Sequence, residues 1–138
     1  MYKDLIFEGD VRLFSGSDQT ASGLVFRGQE DISSFYSFTV SGEGNCSFRK
    51  RLNNTWTVIK DFSQLNDRSQ LSYVNIGKVV NHLMCVIKDN QIDLYINGHL
   101  LTSLTDDQFS QGYIGILVTT KPAPACGYFD NLKVSSID

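Results

Sequence analysis

No apolar run in this chain approaches the roughly 20 residues that a membrane-crossing helix needs. Lys, Asp or Asn interrupts every apolar stretch within a few positions. A surplus of positive charge is missing too: 12 Lys and Arg stand against 15 Asp and Glu, a net charge of −3. That balance offers no general attraction to nucleic acid or to anionic lipid. The three cysteines, Cys46, Cys85 and Cys126, include no close pair, which excludes the common zinc motifs. Their odd number argues against a fully disulfide-bonded scaffold. Three reduced thiols are expected, with one disulfide plus one free thiol as the alternative, and reduced thiols favour a cytoplasmic location. Only His82 and His99 supply imidazole, and no spacing to Ser, Cys or a carboxylate makes a triad with either. The opening Met1-Tyr2-Lys3-Asp4-Leu5 lacks the apolar core of a signal peptide. Internal repeats, low-complexity segments and linkers are absent.

What is present is a normal supply of core-forming residues: 41% hydrophobic and 12% aromatic in 138 residues. A chain of this length buries enough surface to fold without metal or disulfide. We read residues 1–138 as one domain. Because the chain enters almost at once into strand-like sequence, we expect it to be cut from a longer protein. Alternation with period two dominates, and helical periodicity is nearly missing. Residues 4–14 put Leu5, Phe7, Val11 and Leu13 on one face and Glu8, Asp10 and Arg12 on the other. Further strands are predicted at 21–27, 34–41, 45–52, 55–62, 112–119 and 126–134. Residues 63–81 read as a long loop with one short strand or turn near 71–76. Between 82 and 104, Asp89-Asn90 and Asn97-Gly98 separate three alternating segments. Both pairs tolerate positive φ, as two-residue hairpins require, so a three-stranded meander is predicted. A turn is expected near Asp106-Asp107-Gln108-Phe109. About ten short strands with regular turn signals predict an all-β, two-sheet antiparallel β-sandwich of jelly-roll form.

Several blocks carry a resemblance. Gly23-Leu24-Val25-Phe26-Arg27, Phe35-Tyr36-Ser37-Phe38, a basic strand followed by Trp56, Ile92-Asp93-Leu94-Tyr95-Ile96-Asn97-Gly98, Gly112-Tyr113-Ile114-Gly115-Ile116 and Phe129-Asp130-Asn131-Leu132 follow one another in order. Together, over residues 5–134, they resemble the concanavalin A-like lectin/glucanase superfamily. The nearest branch is that of laminin-G-like and 3-keto-disaccharide-hydrolase-like bacterial domains. The resemblance implies a jelly roll, often an accessory part of an enzyme or signalling protein, but it does not fix a function.

Glycosidases of that superfamily carry a Glu-x-Asp-x-x-Glu strand, whose alternation brings the acids to one face. Glu8-Gly9-Asp10 supplies the first two, but Leu13 stands in the third place. No catalytic residue is therefore assigned. A non-catalytic module that binds a glycan or glycan-like ligand on the concave sheet or its rim is expected. The alternative is a protein-interaction or sensory accessory domain of a larger signalling or defence protein, with a glycoside-active enzyme behind both. Six residues are candidates for ligand binding. Tyr36 and Trp56 could stack on sugar rings, or pack in the core. Arg49 and Lys50, in the run Arg49-Lys50-Arg51, either form a solvated face or contact an anion or acidic sugar; Arg49 and Arg51 share a face with Ser47, Lys50 with Phe48. Arg27 and Asp130 either tie two strands together or join the site. The expected partner is a glycan or a partner protein domain, with no nucleic acid and no membrane insertion. No cofactor is expected. Calcium is the one ion left open, through the loop acids Glu30, Asp31, Asp106 and Asp107.

Overall fold

The computed structural model describes residues 1–63, 72–119 and 124–137. These form ten strands and no helix: β1 (Leu5–Ser15), β2 (Ala21–Gly28), β3 (Phe35–Ser41), β4 (Cys46–Leu52), β5 (Thr55–Phe62), β6 (Asn81–Lys88), β7 (Gln91–Ile96), β8 (His99–Thr105), β9 (Tyr113–Val118) and β10 (Cys126–Ser136). They build two antiparallel five-stranded sheets. Sheet I has the order β10-β1-β6-β7-β8 and sheet II the order β5-β4-β3-β2-β9. The chain crosses between sheets after β1, β5, β8 and β9, the pattern of a jelly-roll sandwich.

Turn chemistry sets the hairpins. Asn53 and Asn54 (φ 49° and 67°) join β4 to β5, and Asn97 and Gly98 (φ 49° and 83°) join β7 to β8. Positive φ at both central residues gives the turn whose twist matches that of the strands. The meander at 82–104 is present as β6-β7-β8. In the loop before β6, residues 72–80 hold no strand. Asn81 closes this segment instead, accepting from the Asn75 amide at 2.8 Å and donating to the Asn75 carbonyl at 2.9 Å. The expected strand or turn near 71–76 falls partly outside the described residues.

The core lies between the sheets. Leu5, Phe7, Val11, Leu83, Cys85, Ile87, Ile92, Leu94 and Ile96 come from sheet I, and Leu24, Phe26, Tyr36, Phe38, Val40, Cys46, Phe48 and Phe62 from sheet II. Phe26, Tyr36 and Phe48 form an aromatic cluster, with ring centroids 5.5–5.9 Å apart. All three cysteines are free thiols; Cys46 and Cys85 are buried and Cys126 is exposed. Burial pushes the Cys46 thiol up to about 12 and raises Cys85 as well.

Arg27 departs from the alternation. The pairing of β2 with β9 slips between Val25 and Gly28, and Arg27 has φ 48°. That backbone kink turns the side chain inward, where it is fully buried. Its guanidinium donates to the Lys3 carbonyl at 2.9 Å and to the Phe109 carbonyl at 3.0 Å, and stands 3.6 Å from the Asp4 carboxylate. The anticipated tie to Asp130 is thereby corrected. The inward turn of Arg27 gives it Asp4, ahead of β1, as its acid. Arg27→Met strands two carbonyls and one carboxylate. We expect a stability loss of about 3 kcal/mol, seen as a lower urea midpoint at unchanged slope.

Candidate functional site

The outer face of sheet II carries the candidate site. On β3, Tyr36, Phe38 and Val40 fill the core, so Ser37, Thr39 and Ser41 are left to point outward. On β4 the same rule sends Phe48 in and Ser47, Arg49 and Arg51 out. Ser37, Thr39 and Ser47 are recessed, at 1%, 6% and 6% exposure. Larger side chains rise beside them: Trp56 and Val58 on the edge strand β5 are 42% and 50% exposed. The result is an open trough of about 660 Å³ with a hydroxyl floor. It is also lined by Arg49, Trp56 and Asp61, and on the far side by Leu117 and Thr119 of the β9 flank.

At one end, cross-strand register sets Phe35, Arg51 and Trp56 side by side. Trp56 meets Phe35 edge to face at 5.4 Å, and the Arg51 guanidinium lies 5.3 Å from the Trp56 ring centre. In the middle, Arg49 donates from Nε to the Ser47 hydroxyl at 2.8 Å, which fixes the plane of its guanidinium. Among the described residues no carboxylate lies within salt-bridge distance of Arg49 or Arg51. At the other end, Asp61 pairs in register with Ser47, and Glu43 accepts from Asn45 Nδ2 at 3.3 Å.

The six candidates separate. Arg49 and Trp56 line the trough. Tyr36 has no exposed surface, because it is in phase with Phe38 and Val40; it is a core residue, with no face open for stacking. Lys50 also faces away from the trough, reaching Asp106 at 3.3 Å, as its phase with Phe48 requires. Arg27 is buried as described. Asp130 lies on sheet I: its register partner is Asp10, and it accepts from Tyr128 at 3.3 Å and the Asn131 amide at 2.7 Å. Phe129 packs against the core, and Asp130, the next residue, is exposed. The residues missed from sequence are Ser37, Thr39, Ser41 and Ser47, the floor itself.

Glu8 and Asp10 flank His82 on sheet I, at 3.2 Å from its Nε2 and 2.8 Å from its Nδ1. Asp10 also accepts from Asn131 Nδ2 at 2.7 Å. That hydrogen bond, then the one to His82, holds the Asp10 carboxyl below its usual range. Of the loop acids, Asp31 caps its own turn through the Ser33 amide. Asp106 accepts from the Tyr36 hydroxyl, Lys50 and the Gln108 amide. No group of three or more metal-ligating side chains occurs among the described residues.

Comparison with solved structures places this architecture. A carbohydrate binding module, CBM66 from Bacillus subtilis, superposes with a TM-score of 0.79 at 21% identity, over 97% of this chain and 76% of that one. Sheep galectin-11 superposes with a TM-score of 0.66 at 9% identity, over 98% and 92%. The fold is a two-sheet jelly roll. The same jelly roll recurs in the GH43 protein BlXynB from Bacillus licheniformis, at TM-score 0.69 and 10% identity, where it spans 28% of that chain. No family model matches the chain, and no curated protein matches it.

Asp106 is the acid of a rim lock rather than of the trough. Burial alone would raise its carboxyl; hydrogen bonds from Tyr36, the Gln108 amide and Lys50 outweigh this and hold it below its ordinary value. A depressed folded-state pKa contributes stability above the unfolded-state value and loses it as pH falls through the folded one. Asp106→Asn is therefore expected to be less stable than wild type at pH 7. The gap should close as pH drops below the ordinary carboxylate range, in urea unfolding measured across pH.

Proposed function

We propose that this chain is a non-catalytic glycan-binding module whose ligand lies in the trough on the outer face of sheet II. The observation that carries the reading is one half-exposed indole near an arginine that has no acid partner among the described residues, above a floor of recessed hydroxyls. Sugar rings present C–H faces that stack on an aromatic ring, and hydroxyls that need donors and acceptors around that contact. Trp56 supplies the first; Ser37, Thr39, Ser41, Ser47 and Arg49 supply the second. Among the described residues no His or Cys lines the trough. Glu8 and Asp10, the acids of the partial glycosidase pattern, sit on the other sheet and are occupied by His82.

The proteins of like fold support the same reading, since they include a carbohydrate binding module and galectins. The short share of the GH43 chains that is matched fits a role as an appended domain. In this reading Tyr36 and Arg27 serve the scaffold, and the ligand meets Trp56 and Arg49 first.

A glycan array and titration calorimetry test it. Wild type binds at least one oligosaccharide class. Trp56→Ala keeps its fold, because the ring is on an edge strand and half exposed, but weakens binding by about 2 kcal/mol, roughly thirtyfold. Unchanged affinity in Trp56→Ala, or a wild-type array without any binding, would overturn the proposal.

A further inference from the structure

The trough is electrically polarised along its length, and the geometry points to a glycan carrying a carboxylate, a uronate or another acid sugar, seated with its acid toward Arg49. This inference rests on the trough being the glycan site. Arg49 and Arg51 project from the same face of β4 two positions apart, roughly 7 Å along the strand. Trp56 stands directly across from Arg51. Among the described residues, the acids that line the trough are Asp61 and Glu43, and they lie toward its opposite end, beside Ser47 and in the β3–β4 turn. A carboxylate on a sugar is therefore attracted at the Trp56 end and repelled at the Asp61 end.

The state of the two arginines strengthens the case. An exposed arginine on a mixed-charge face commonly finds a carboxylate, and Asp61 stands directly across from Ser47, two residues along β4 from Arg49. Yet neither Arg49 nor Arg51 has an acid within 4.0 Å among the described residues. Arg49 is already oriented by its Nε bond to Ser47, so its two terminal nitrogens form a fork held in a fixed plane. A fork of that kind matches a carboxylate with two parallel bonds. Arg51 is held against the Trp56 ring, and its Nε is buried without a hydrogen-bond partner. It adds positive potential beside the stacking surface. A ring stacked on Trp56 with a carboxylate at its edge satisfies the fork, and neutral sugar units extend over the hydroxyls of Ser47, Thr39 and Ser37.

The test uses oligosaccharides of galacturonate, glucuronate and mannuronate, each paired with its carboxyl-reduced neutral counterpart, titrated into the intact chain. The expected result is a preference for the acid member of at least one pair by roughly tenfold or more, the usual scale of a hydrogen bond to a charged group. That preference should shrink as salt rises, because an exposed charge contact is screened. Arg49→Gln should bring the two members to parity by weakening the acid member more than the neutral one, and Arg49→Lys should restore part of the preference. Asp61→Asn should increase it. Thermal melts confirm that each variant is folded. Equal binding of the two members by wild type, or a preference that survives Arg49→Gln, overturns the acid-sugar assignment and leaves the glycan module standing. Failure of every member, acid and neutral alike, overturns both.

Discussion

Two stacked sheets share an interior about 10 Å thick, and only alternate side chains of each strand can enter it. In sheet II that constraint is met with unusually large residues: Phe26, Tyr36, Phe38 and Phe48 are all in contact with the core cluster. The pleat then hands every second position of β3 and β4 to the opposite face. Because those positions hold Ser37, Thr39, Ser41 and Ser47, the outer face is low in the middle. Trp56 on one side and Leu117 on the other make it a trough. The core and the site are two readings of one alternation. A one-residue slip of β3 would put its aromatics in solvent and its hydroxyls in the core.

The end of the sandwich near residues 106–112 shows how polar groups tie the loops to this alternation. Tyr36 donates to Asp106 and accepts from the Phe109 amide at 3.3 Å. Phe109 packs on Tyr36 at 4.9 Å, and its carbonyl accepts from Arg27. Lys50 reaches the same Asp106. Burial and then the neighbouring carboxylate raise the Tyr36 phenol well above its usual value, so it stays a neutral donor. Three residues with the chemistry of ligand contacts are thus used to hold the 106–109 segment against β2, β3 and β4. Their polar atoms are consumed within the scaffold, and the trough is left to other side chains.

Much of the fold was legible because period two and turn chemistry are local signals. Leu5, Phe7, Val11 and Leu13 share a buried face as their spacing requires, and Asn97-Gly98 turns where its tolerance of positive φ allows. The candidate site was half legible. Arg49 and Trp56 stand on strand and turn positions that local pattern places outward. Tyr36 and Lys50 could have been removed by the same reasoning, since Tyr36 keeps phase with Phe38 and Val40, and Lys50 with Phe48. A stacking or charged side chain draws notice by type, whereas the alternation assigns it by position. Arg27 lay beyond that logic: its inward turn depends on a register slip against β9, eighty-odd residues away in sequence. Asp130 was misplaced for a similar reason. Its pairing with β1 passes an irregularity between Glu8 and Asp10, and Asn131 takes φ 53°, so the phase of β10 cannot be counted from its sequence alone.

The two outer faces of the sandwich differ in one physical respect that bears on function. Sheet I pairs its polar groups with one another: His82 with Glu8 and Asp10, Asn131 with Asp10, and Ser103 with Asp93 at 2.6 Å. Such a face is satisfied by itself and by water, and it gains little from a ligand that must break those bonds. The outer face of sheet II keeps Arg49 and Arg51 beyond salt-bridge distance of any carboxylate among the described residues and fixes Arg49 through Ser47. A charged group that is oriented but unpaired loses little freedom when a partner arrives, and a polar floor already held by backbone pairing loses none of its order. Preorganisation of this kind lowers the entropic cost of binding. It sits on the central strands β3 and β4, whose geometry is fixed by neighbours on both sides, so the same close packing that stabilises the sandwich also sets the spacing of the groups that would meet a ligand.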